Sequence, residues 1–159
     1  MKNRRRVIAF VAFFLIIVVV SAIYFASGLS AVYDPIKKYT YNGTVKQLVQ
    51  NITSYASENS DVKFGLEDKV GNSTDSAFYY SVKLKNGADS IVYDLAFEAN
   101  KLKYGTTILL VGAHDISHKM GGYHLKDDGV KNLVAIFDSQ LITNLNKTYH
   151  PGIETVNSE

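Results

Sequence analysis

Apolar and polar residues alternate most regularly between residues 77 and 85, AFYYSVKLK. Phe78, Tyr80, Val82 and Leu84 fall on one side, and Tyr79, Ser81, Lys83 and Lys85 on the other. A period of two predicts a strand with one buried face. The same period runs through DVKFGLE (residues 61–67) and IVYDLAFE (residues 91–98). Asn86-Gly87 between the second and third of these segments predicts a tight hairpin, because both residue types tolerate positive φ. TTILLVGA (residues 106–113) is apolar at both parities. It reads as a strand covered on both sides, or partly so.

The period changes to 3.6 on either side of this block. Val45, Leu48, Val49, Ile52, Tyr55 and Ala56 recur at helical spacing, behind a Thr44-to-Gln47 capping box. Val130, Leu133, Val134, Phe137, Leu141 and Leu145 form a second apolar stripe, with Asp127 and Asp128 placed to cap its start. The order is helix, four strands, helix. Short connections favour an antiparallel meander with helices on one face, an α+β domain over residues 44–146. That order is similar to the one in cystatin-like folds. The similarity is of element order alone and carries no function.

Ahead of this domain the pattern disappears into one apolar run. Residues 7–26, VIAFVAFFLIIVVVSAIYFA, contain fourteen Val, Ile, Leu or Phe. Twenty helical residues rise about 30 Å, the thickness of a bilayer's hydrocarbon core. Insertion of that many apolar side chains is favourable by about 4 to 8 kcal/mol. Lys2, Arg4, Arg5 and Arg6 precede the run, so the positive-inside bias keeps residues 1–6 in the cytoplasm and exports the rest. Tyr24, Phe25 and Tyr33 then belong to the outer interface. The alternative is a cleaved signal peptide with small residues near Gly28, which would release a secreted binding domain. The run is longer than the usual signal core. Residues 27–43 read as a tether, interrupted at Asp34-Pro35, with a reach of about 20 to 25 Å as a flexible coil. Within it, Tyr39 to Tyr41 reads as a short edge strand or a membrane-proximal stretch. Residues 147–159 read as a polar, flexible tail.

Charge narrows the partners. The exported part carries 13 Lys, no Arg, and 15 Asp or Glu, a net charge of −2. Without the planar guanidinium fork that suits phosphates, nucleic acid is excluded as a partner. The chain has no cysteine, hence no disulfide, no thiolate nucleophile and no cysteine metal site. A cysteine-free exported domain of this size fits the inner membrane of a bacterium. Four Asn-x-Ser/Thr sequons, at Asn42, Asn51, Asn72 and Asn146, read as a product of composition.

Candidate chemistry is confined to GAHDISHKMGGYH (residues 112–124), which holds three of the four histidines. It reads as a polar loop after a buried strand. His114, His118 and His124 would make a metal site only if a loop gathered their imidazoles around an open position. That arrangement would support a metal-dependent or hydrolytic envelope enzyme. The His-Glu-x-x-His pattern is absent, no serine has a nucleophile-elbow setting, and no phosphate loop is present. The sequence therefore predicts no catalytic residue and no cofactor. It predicts a domain that binds or scaffolds a protein partner at the bilayer surface, through the polar strand face of Tyr79, Ser81, Lys83 and Lys85.

Overall fold

The computed structural model describes residues 34–70, 77–100 and 104–156. The basic flank, the apolar run 7–26 and the first part of the tether lie outside the described residues. Among the described residues, no helix is long and apolar enough to cross a membrane.

The described chain is a small α+β domain with one antiparallel sheet. Its strands are β1 (Lys37–Tyr41), β2 (Val62–Val70), β3 (Ala77–Asn86), β4 (Asp89–Ala99), β5 (Thr106–Asp115), β6 (Met120–Gly122) and β7 (Ile153–Thr155). Its helices are α1 (Val45–Glu58), α2 (Val130–Phe137) and α3 (Thr143–Thr148), the last two joined through a π-helical turn, Asp138–Ile142. The sheet order is β2-β3-β4-β5-β1-β7, with β6 paired to β5.

The four-strand meander from β2 to β5 follows the alternation in the sequence. Val82, Leu84, Ile91, Tyr93, Leu95, Phe97, Ile108 and Leu110 are buried on the helix-covered face. The hairpin between β3 and β4 differs in detail. Asn86 pairs with Asp89, so the turn residues are Gly87 and Ala88, and of these Gly87 alone has positive φ. That is the type II′ pattern, with glycine at the first central position.

Two segments expected outside the domain belong to its sheet. Residues 37–41, placed by their sequence in the tether, form β1, which lies between β5 and β7. It is an interior strand, with Tyr39 and Tyr41 buried. Residues 153–155, expected in a flexible tail, form β7 against β1. All neighbours in the sheet are antiparallel, so β1 and β2 point the same way across three intervening strands. Strands that run in the same direction need a crossover, and α1 supplies it.

The helices form where their stripes predicted. Thr44 and Gln47 make the reciprocal capping box at the start of α1, and Leu48 and Ile52 face the core. All six residues of the second stripe are buried. Its cap is a correction. Gly129, in the left-handed conformation, precedes α2 with no side-chain cap. The Asp127 carboxylate instead accepts the backbone N–H groups of Tyr123 and His124, at 3.0 and 2.9 Å. It closes the approach to the helix rather than the helix itself.

The π-helical turn ties the helical layer to β1. The Asp138 carboxylate accepts the Tyr39 hydroxyl at 2.7 Å and the Lys37 ammonium at 2.6 Å. Phe137 packs against Tyr39 and Tyr93, with centroids 5.9 and 4.9 Å away. The Tyr93 hydroxyl donates to the Leu133 carbonyl at 2.8 Å. Burial of both phenols, reinforced at Tyr39 by Asp138, raises their pKa well above the ordinary tyrosine value.

Candidate functional site

The face of the sheet opposite the helices carries the polar parity of each strand. β3 contributes Tyr79, Ser81, Lys83 and Lys85, the residues singled out by alternation. Tyr79 and the two lysines are exposed, and Ser81 is half-buried. Ser81 donates to Glu67 of β2 at 2.6 Å. Glu67 is the extra residue of a bulge, where the β2–β3 register shifts.

Cross-strand register sets the neighbours of these side chains. Tyr79 lies opposite Ala96 of β4, which lies opposite Leu109 of β5. Ala96 is buried although it faces away from the helices. The face therefore has an apolar centre. At its β2 corner, Lys63 lies directly opposite Lys83. Like charges in that position repel and destabilise the pair. Ser60, Asp61, Lys85 and Ser90 complete a shallow depression of about 220 Å3 around them. Asp61 lies 3.6 Å from the Lys85 ammonium, an exposed pair. Exposed pairs of this kind contribute at most about 1 kcal/mol.

The histidine segment divides. β5 runs through Asp115 and turns back into β6, so the segment expected as a loop is a short hairpin. His114 is on the strand and joins the open face. Its Nε2 lies 3.3 Å from the Asp94 carboxylate, outside hydrogen-bond geometry, and is buried without a hydrogen-bond partner. Its ring meets Tyr123 edge-on at 4.9 Å between centroids. Gly112 makes the space for this cluster. A Cβ there would come within 2.5 Å of Asp94 Oδ2 and 3.1 Å of the Tyr123 ring.

His118 and His124 belong elsewhere. His118 Nδ1 lies 3.0 Å from Asp115, whose buried carboxylate also accepts the His118 backbone N–H at 3.1 Å. That backbone bond, with the imidazole beside it, holds the Asp115 carboxyl below the usual carboxylate range, against the opposing effect of desolvation. His124 Nδ1 lies 3.4 Å from Asp127, which is lowered in the same way, first by the His124 backbone N–H. Each imidazole thus lies beside a different carboxylate. The alternative of a metal site required His114, His118 and His124 to share one open position, and the structure places them beside three separate carboxylates. Among the described residues, no three His, Asp or Glu side chains converge in a way that would hold a metal ion.

Sequence reasoning located the β3 residues of this face but missed Lys63, Asp94, Ala96, His114 and Tyr123 as members of it. Asp94 and Lys63 sit at polar parities in alternating strands and were available as signals. Tyr123 was not, because it reaches the face from a turn.

No family model, curated protein or solved structure matches this chain.

Proposed function

We propose that this chain is a single-pass membrane protein whose α+β domain lies outside the cytoplasm and holds an acidic protein partner close to the bilayer. The membrane placement rests on the apolar run at residues 7–26 behind its basic flank. The binding role rests on one observation: Lys63 and Lys83 oppose each other beside Lys85, on the same face as an exposed Tyr79 beyond Ser81, over an apolar centre. Repulsion between the lysines is relieved by a carboxylate-bearing surface. Tyrosine offers contact area and a hydroxyl at low entropic cost. Aromatic anchors with a charged border are the usual composition of a binding centre.

Two measurements test the two parts. Alkaline carbonate should leave the intact chain in the membrane pellet, and protease added outside the cell membrane should digest the C-terminal domain. Extraction by carbonate would overturn the anchored reading. A photo-crosslinking residue at position 79 should capture one protein reproducibly in intact cells. Lys83→Glu should abolish that adduct without lowering the thermal midpoint, since it removes the repulsion from Lys63. An adduct indifferent to Lys83→Glu, or none, would overturn the proposed surface.

A further inference from the structure

We infer that the outer edge of β2 pairs with β2 of a second copy of this chain, in an antiparallel register centred on Gly65. The inference rests on the edge of β2 and shares with the open-face reading only the Lys63–Lys83 opposition.

The backbone supplies the first part. Lys85 donates to the Asp61 carbonyl, and the β2–β3 register is continuous from Val62 to Leu66. Antiparallel alternation therefore turns the N–H and C=O groups of residues 62, 64 and 66 away from β3. The outward N–H of Val62 is taken by Asn59. Those of Phe64 and Leu66 point to an edge of the sheet that no strand covers among the described residues. Unpaired edge groups of this kind template another strand. Leu66 is 58% exposed there, and Phe64 is half-buried.

The side chains supply the register. Outward residues must pair with outward residues, so a two-fold axis passes through residue 63, 64, 65 or 66. Centring on Lys63 sets that lysine against its own copy. Centring on Phe64 sets Asp61 against Glu67. Centring on Leu66 carries the bulge at Glu67 into the middle of the ladder. Centring on Gly65 opposes Lys63 to Glu67 at both ends and Phe64 to Leu66 on the other face. It also brings the second copy's Glu67 to Lys63, where the Lys63–Lys83 repulsion needs an opposite charge. In this register Gly65 meets Gly65 in a non-hydrogen-bonded pair, with Cα atoms about 4.5 Å apart. A Cβ built on Gly65 meets no atom within 4 Å.

The assembly closes. The bulge at Glu67 ends the regular ladder, and among the described residues the other sheet edges, β6 and β7, are three residues long. Short edges and bulges discourage further addition, so the product is an isologous dimer rather than a filament.

The chain has no cysteine, so one introduced thiol has no native competitor. Gly65→Cys in the detergent-solubilised full chain should form a disulfide-linked dimer on mild oxidation, because the Cα separation suits a disulfide. Ala88→Cys, on the exposed β3–β4 turn, should not. The cysteine-free chain should have a dimer mass by light scattering. Lys63→Glu should weaken self-association about 10-fold, since an attraction becomes a repulsion at both ends of the axis. The exchange Lys63→Glu with Glu67→Lys should restore it, which separates lost pairing from lost folding. A monomer mass, cross-linking of Gly65→Cys no greater than of Ala88→Cys, a dimer indifferent to Lys63→Glu, or failure of the exchange to restore association would overturn the inference.

Discussion

Asp115 shows how one carboxylate can decide the local chemistry. It is buried at the end of β5 and accepts both the backbone and the ring of His118. These bonds favour its ionised form, so its folded pKa lies below the unfolded value. Its stabilising effect is complete above the ordinary carboxylate pKa, about 3.9, and is lost as pH falls through the lower folded value. Asp115→Asn should therefore lower the denaturation midpoint at neutral pH. Its difference from the native chain should shrink as pH drops below about 4, the unfolded carboxylate range. A constant difference from pH 7 to 3 would show that ionisation is not the cause. The phenols of Tyr39 and Tyr93 act in the opposite pH range. Their folded pKa values are raised, so the stability they confer is complete below about 10 and lost above it. Denaturation midpoints should hold to about pH 9.5 and then fall, with tyrosinate absorbance from these two rings appearing only as the chain unfolds. Early, non-cooperative titration of all tyrosines would contradict their burial. The pairing of histidines with carboxylates was partly legible. His118 and Asp115 are three apart, as are His124 and Asp127, and local turns bring such residues together. Asp94 and His114 are twenty positions apart, and only the β4–β5 register joins them.

At the scale of elements, periodicity carried most of the assignment. Strands β2 to β5 and helices α1 and α2 each bury one face of a regular pattern, so their sequences record it. β7 escaped, and β1 was read only as one of two alternatives and as an edge strand, because IET and KKYTY are too short to show a period. Tyr39 and Tyr41 do alternate with Lys38 and Thr40, but five residues fit either a strand or a membrane-proximal stretch. β7 is held by Asn146 of α3, whose amide donates to the Ile153 carbonyl at 2.8 Å and accepts the Ile153 N–H at 2.6 Å. Asn146→Ala should cost about 1 to 2 kcal/mol by denaturant titration, from two lost hydrogen bonds. Hydrogen exchange should rise selectively at residues 153–156. Unchanged protection there would show that β7 is held by its strand pairing alone.

For the whole molecule, the connection between layers matters more than any single strand. Phe137 sits between Tyr39 of β1 and Tyr93 of β4, and Asp138 beside it binds β1. The strand β1 and the central meander are thus secured to one helical turn. Phe137→Ala should cost about 3 to 5 kcal/mol, the range for a large core aromatic replaced by alanine. The loss should appear as one cooperative transition. Separate melting of β1 with β7, while the meander persists, would show that the junction is not shared.

The sequence by itself determined the apolar run with its basic flank, the four-strand meander, the two amphipathic helices and the polar face of β3. These properties depend on neighbours in the chain, through the side-chain periods of strand and helix and through transfer of apolar groups from water. The tertiary structure alone decided that β1 enters beside β5 and that β7 returns to β1. It also decided that His114 faces Asp94 while His118 and His124 turn to other carboxylates, and that Lys63 opposes Lys83. Each of these depends on which distant backbone segments hydrogen-bond and in what register. A shift of one residue would send every side chain of a strand to the other face.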